Sequence, residues 1–174
     1  MLEPRDSVST ERPGGRRPSL FSARLSAAVL GGAGAALAIG AMESSSPFIH
    51  TPLAAIPFAT SIVLVMGSPD AAPAQPRALI GGHLISTVVG FVVLAVAGPH
   101  AWAAAVAVGL AVIVMILTDT LHPPAGINPL LVVTQDLPWP FILVPVLAGA
   151  LALALFAFAW HRLVAGRAWP RRPS

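Results

Sequence analysis

The sequence predicts an all-α membrane protein of four transmembrane helices plus two short re-entrant or half-helices. Three observations carry this. The chain is 56% hydrophobic and 10% charged, with mean hydropathy +0.81, whereas a soluble domain carries about a quarter charged residues. Four apolar runs, Leu25–Met42, Ala78–Gly98, Ala101–Thr118 and Phe141–Trp160, meet the roughly 17–25 residues needed to cross a bilayer core. Two shorter apolar stretches, Leu53–Gly67 and Pro123–Thr134, begin near prolines. Proline has no backbone donor and clashes with the preceding turn, so a helix stops or restarts there. Short interrupted segments of this kind build ion and substrate sites in membranes.

Taken in order, residues 1–20 are rich in Arg, Pro, Ser and Gly and read as a disordered cytoplasmic tail. Residues 21–165 form the transmembrane domain, and 166–174 a second basic cytoplasmic tail. The chain has no lysine, and of its ten basic residues, all arginine, only Arg77 lies between Leu25 and Trp160. Arginines beside apolar spans fit a membrane surface rather than nucleic acid, despite a pI near 11.4. The positive-inside rule makes both termini cytoplasmic in a multi-pass protein of the inner membrane, with the lipid bilayer as its first partner. With four spans, Glu43, Asp70, Asp119 and Asp136 then fall on the opposite side. If the two short stretches also crossed, Asp119 and Asp136 would face opposite sides. Trp102, Trp139, Trp160 and Trp169 lie near span ends, as an interfacial belt expects.

A shift of 67 residues places Pro57 on Pro124, Ser61 on Asn128 and Gly82 on Gly149. Each half then reads span, half-helix, span, as two parallel repeats about an axis along the membrane normal. Gly82, Ser86 and Gly90 recur at four-residue spacing on one helix face, which lets another helix approach closely. Small-residue faces of this type also fit a homo-oligomer.

The chemistry concentrates in Thr118–Pro129. The break after the third span puts His122, Pro123, Pro124, Ala125, Gly126 and Asn128 at the start of a half-helix. Proline suits a first helical turn, whose free amides and positive dipole end favour an anion. Asn128 adds a hydrogen bond, and His122 can donate one and carry a proton. Thr60 and Ser61 occupy the matching place in the other half. His83 lies one to two turns into its span beside Gly81 and Gly82, and a membrane histidine is functional by default. Arg77 could attract anions at a pore mouth. Asp119, if buried, needs a cationic partner, with His122 and Arg77 the ones to test and a charge relay with His122 as the role. His50 and His161 read as interfacial.

The sequence has no cysteine, no nucleophile–base arrangement for a hydrolase, and no metal or phosphate motif. The expectation is a protein that is not an enzyme and needs no metal or cofactor.

Leu121-His122-Pro123-Pro124-Ala125-Gly126, Ala74-Gln75-Pro76-Arg77 leading into Ile80–Ser86, and Pro57-Phe58-Ala59-Thr60-Ser61 together resemble the HPP family of small integral membrane proteins. The resemblance runs from about Leu25 to Trp160 and implies four transmembrane helices. Plastid and cyanobacterial members are associated with nitrite transport. The sequence departs at Ile127-Asn128-Pro129, where members more often have small residues. The expected function is therefore a transporter or channel for a small inorganic anion, with nitrite the leading candidate. The alternatives are a non-transporting assembly or sensor module, and a proton or cation pathway using Asp119.

Overall fold

The computed structural model describes residues 19–49 and 56–171, with side chains for 19–44 and 57–171. His50 and the start of the stretch expected from Leu53 lie outside these residues. The described chain is helical, without strands. It comprises α1 (Leu20–Ile49), α2 (Ile56–Gly67), α3 (Pro76–Ala97), α4 (Ala101–Leu117), α5 (Ile127–Thr134) and α6 (Ala148–Ala159). Three helical segments, Leu20–Ser44, Pro76–Ala97 and Trp139–Val164, are long and apolar enough to cross a membrane. At 17 residues α4 is shorter, at the lower edge of what crosses. Three of the four expected spans thus meet the length, and the fourth corresponds to the shorter apolar helix α4. The two proline-led stretches are the short helices α2 and α5, the latter entered through a tight turn at Pro123–Gly126.

Small residues set the helix order. A Cβ on Gly31 would come within 3.0 Å of the Met66 carbonyl oxygen, and one on Gly34 within 2.6 Å of Trp160 Nε1. The start of α1 therefore lies against the end of α2 and the segment after α6. Further along, Ala38 and Met42 share a buried cluster with Phe58 and Ile62, so α1 and α2 run antiparallel. Helices α2 and α6 run parallel. A Cβ on Gly149 would meet the Phe58 ring at 2.8 Å, and His161 Nε2 donates to the Val65 carbonyl at 3.1 Å. Helix α6 is entered through a kink at Val144, which has extended backbone (φ −136°, ψ 118°) just before Pro145, a residue that cannot continue the ladder.

The face carrying Gly82, Ser86 and Gly90 is occupied within the chain. A Cβ on Gly82 would lie 2.7 Å from His122 Cβ, and one on Gly90 2.8 Å from Pro129 Cα. This face admits the α4–α5 break and α5 rather than a second copy.

The two halves oppose each other, against the parallel-repeat expectation. Helices α2 and α5 both start beside His83, through Ser61 and Asn128. From there α2 runs back toward the start of α3. Helix α5 runs forward along α3, with Pro129 and Val132 against Gly90 and Val133 clustered with Val93. The sequence shift matches corresponding elements but carries no direction, which only the contacts reveal.

The acids divide accordingly. Asp70 pairs with Arg167 and Arg171 of the C-terminal tail, and Asp119 pairs with Arg77. Both acids thus lie at the end of the bundle holding the start of α1 and the C-terminal tail, here the tail end. Asp136 follows α5 toward the other end, near the α3–α4 turn. The expectation that all four acids oppose the termini is corrected. The cause is the opposed direction of the two short helices: α2 runs toward the tail end, where Asp70 follows it, and α5 runs toward the other end, where Asp136 follows it. Arg77 is then no exception: it shares the tail end with Arg24, Arg162, Arg167 and Arg171.

Two interfacial expectations are also corrected. His161 is buried through its bond to Val65, and Trp169 is buried with its ring 6.0 Å from that of His161. The tail folds back at this point, with the Arg171 amide donating to Gln75 Oε1. Trp102 and Trp139 are exposed, as a belt requires.

Candidate functional site

Four buried polar side chains meet where α2 and α5 begin. Ser61, His83, His122 and Asn128 are each 0% exposed, although polar groups enter an apolar interior only when hydrogen-bonded. Ser61 Oγ lies 2.9 Å from His83 Nε2 and 2.9 Å from His122 Nε2. The two imidazole centroids are 5.1 Å apart. His122 Nδ1 donates to the Pro73 carbonyl at 2.7 Å. Asn128 Nδ2 lies 3.1 Å from His83 Nδ1, 3.2 Å from the His83 carbonyl and 2.9 Å from Thr87 Oγ1. The Phe58 ring stacks on His83 at 4.7 Å.

Local sequence places each member. Pro123 and Pro124 prevent α4 from continuing, so the chain turns back into the bundle. Asp119 makes that turn at φ 58°, a left-handed conformation that aspartate tolerates better than most residues. His122 remains extended (φ −128°, ψ 96°) at the head of the Pro123–Gly126 turn, and the missing side chain of Gly82 admits it. One helical turn separates Phe58 from Ser61 and His83 from Thr87, so each pair shares a face.

At the start of α5 the Ala125 and Ile127 amides are already used. Pro123 and Pro124 have no N–H, and the Ala125 N–H donates to the His122 carbonyl. The Ile127 N–H is used within the same turn. The polar groups that meet here are side chains, and the Ala125 and Ile127 amides bond within their own turn.

The remaining candidates lie elsewhere. Ala125 is buried against Ala111 and Met115. Thr60, Pro123, Pro124 and Gly126 line an outward-facing, mainly apolar groove that also holds Leu121 and Leu130. The Thr60 hydroxyl donates to the Pro57 carbonyl of its own helix. Arg77 donates to the Thr118 carbonyl at 2.9 Å and lies 3.2 Å from Asp119, with both side chains largely exposed. Asp119 is thus at the tail-end surface with Arg77, and the relay expected between Asp119 and His122 is not assembled. A recruiting role for Arg77 on the side opposite the termini is likewise corrected.

Sequence reasoning missed the Pro57 and Pro73 carbonyls, Phe58 and Thr87. The helical spacing from Ser61 and His83 was the available signal for Phe58 and Thr87. Nothing in the sequence signals that the Pro73 carbonyl, from the α2–α3 connection, would accept the His122 hydrogen bond.

Residues 21–170 match the family described as HPP, transmembrane region. A transmembrane protein of Dictyostelium discoideum is 40% identical over 121 residues, covering 65% of this chain and 42% of that protein. A second transmembrane protein of the same organism is 36% identical over 121 residues, covering 65% of this chain and 39% of its own length. The chain therefore spans about two fifths of the relatives it matches. No solved structure matches it.

Proposed function

The chain belongs to the HPP transmembrane family, and from that premise we propose that it is a permease moving a small inorganic anion together with a proton. The observation that carries this reading is the convergence of two opposed half-helices on the buried Ser61, His83 and His122 cluster. Interrupted helices meeting inside the bundle are the usual construction of a transporter site. Histidine is the side chain best suited to exchange a proton near neutral pH. An unaccompanied anion in a low-dielectric interior is costly, and a proton on an imidazole offsets that charge. Nitrite is the leading candidate, because plastid and cyanobacterial members of the family that the sequence resembles are associated with its transport. The arginine-rich tail end would be cytoplasmic under the positive-inside rule, with Arg77 at the cytoplasmic mouth.

The test is nitrite uptake into sealed liposomes holding the purified chain, with a proton gradient directed inward. The proposal expects uptake above empty vesicles, dependent on the gradient and lost in His122→Ala. Uptake equal to that of empty vesicles would favour a non-transporting assembly or sensor module. One observation supports that second reading: the site is closed, and its histidines bond to the chain itself. A proton or cation pathway through Asp119 would instead lose its flux in Asp119→Asn.

A further inference from the structure

The acceptors around Ser61 dictate where each hydrogen of the cluster lies. The Pro73 carbonyl can only accept, so His122 Nδ1 carries a hydrogen. In a neutral ring, Nε2 is then a lone pair and takes the Ser61 hydroxyl hydrogen across 2.9 Å. The His83 carbonyl only accepts, and Thr87 Oγ1 spends its hydrogen on that carbonyl, so both call for the Asn128 amide with Nδ2 facing them, an orientation that leaves Asn128 Oδ1 without a partner. Of the two Nδ2 hydrogens, one goes to Thr87 Oγ1 and the other is shared between the His83 carbonyl and His83 Nδ1. His83 Nε2 therefore carries the ring hydrogen and donates to Ser61 Oγ. The resting cluster is a one-way chain from Asn128 through His83, Ser61 and His122 to Pro73.

The two histidines differ in their capacity for one more proton. Ser61 Oγ has a second acceptor in reach, the Pro57 carbonyl at 2.7 Å. With a proton on His122 Nε2, that N–H donates to Ser61 Oγ and the hydroxyl hydrogen turns to Pro57. No heavy atom moves and every hydrogen keeps an acceptor. His83 has no such exit, because a proton on its Nδ1 would point at Asn128 Nδ2, donor against donor. Turning the amide would set Asn128 Oδ1 against the His83 carbonyl instead.

We propose that His122 is the ring that takes up the permeating proton. Ser61 is the positioning residue whose hydroxyl swings to Pro57 to receive it, and Asn128 holds His83 as a singly protonated donor. The proton leaves hydronium, or the acid form of the substrate, and forms the Nε2–H bond of His122; water or the anion remains. The titratable group facing His122 is His83 on α3. Arg77 of α3 and Asp119 after α4 pair with each other at the exposed end, and α2, α5 and the Ala72–Ala74 turn carry no titratable residue. This deepens the permease reading and rests on it for the source of the proton, but the hydrogen positions can be measured without transport.

The experiment is nitrogen NMR of the full chain, labelled at histidine and held in lipid nanodiscs. At neutral pH the expected signatures are Nδ1–H for His122 and Nε2–H for His83. On acidification His122 gains its second proton before His83. Ser61→Ala makes that gain about tenfold weaker, the scale of one hydrogen bond to a charged group. The opposite tautomer on either ring, earlier loading of His83, or no second proton on His122 before the fold is lost would overturn the assignment. The wild-type spectra decide the matter even if Ser61→Ala fails to fold. The expected signatures without nitrite uptake would sink the permease reading alone, and uptake with the wrong tautomers would sink the proton assignment alone.

Discussion

The buried cluster at His83 and His122 and the charged tail end solve opposite electrostatic problems. The cluster holds no fixed charge opposite its imidazoles; its side chains bond to one another across α2, α3 and α5 and to the Pro73 carbonyl, with Asn128 Oδ1 left without a partner. The tail end holds full charges, Arg77 with Asp119 and Arg171 with Asp70, on side chains that are more than half exposed. An exposed ion pair contributes about 0.2–1 kcal/mol. A buried polar group that loses its partner costs about 1–3 kcal/mol. The formal charges are therefore the weaker part of the structure, and the neutral cluster is where substitution should be felt.

The largest loss of stability is expected from Asn128→Leu. It removes the donor shared by His83 Nδ1, the His83 carbonyl and Thr87 Oγ1, for a cost of about 2–3 kcal/mol. Reversible unfolding in detergent would measure this, and an unchanged midpoint would show that the comparison overstates the cluster. Gly82→Ala comes next. Its Cβ would press on His122 Cβ at 2.7 Å and on the Thr120 carbonyl oxygen at 2.8 Å, and overpacking of this kind costs about 1–3 kcal/mol. Gly32→Ala, whose Cβ meets nothing within 4 Å, is the matched control and should hold or slightly raise the midpoint, since alanine is the better helix former. The smallest effect belongs to the tail end, where Arg77→Ala and Asp119→Asn should each cost under about 1 kcal/mol. High salt should erase that difference, since exposed charges are screened. A salt-insensitive loss of several kcal/mol would place the pair among the main supports of the fold.

What could be read from the sequence follows from which signals are local. The apolar runs and the prolines at Pro57, Pro123 and Pro124 locate the spans and both half-helices, because a missing backbone donor acts on its own turn. Ser61, His83, His122 and Asn128 stand out as polar residues within apolar context. The direction of one half against the other is not local. It depends on α1 reaching far enough for α2 to return along it, which is set by contacts such as Gly31 with Met66. The placement of Asp70 beside Arg171 and of Asp119 beside Arg77 follows from that direction. The amides expected to hold an anion failed for a local reason, since two successive prolines remove two donors and the tight turn uses the next. The same turn supplies His122, so the motif delivers an imidazole where the dipole argument had expected backbone.

Side-by-side nitrite uptake by the wild type, His122→Ala and Arg77→Ala, at matched protein per liposome, tests the central claim most directly. The account predicts that His122→Ala falls to the level of empty vesicles, while Arg77→Ala stays within about twofold of wild type, as a screened surface charge should. Full uptake by His122→Ala together with collapse in Arg77→Ala would contradict it.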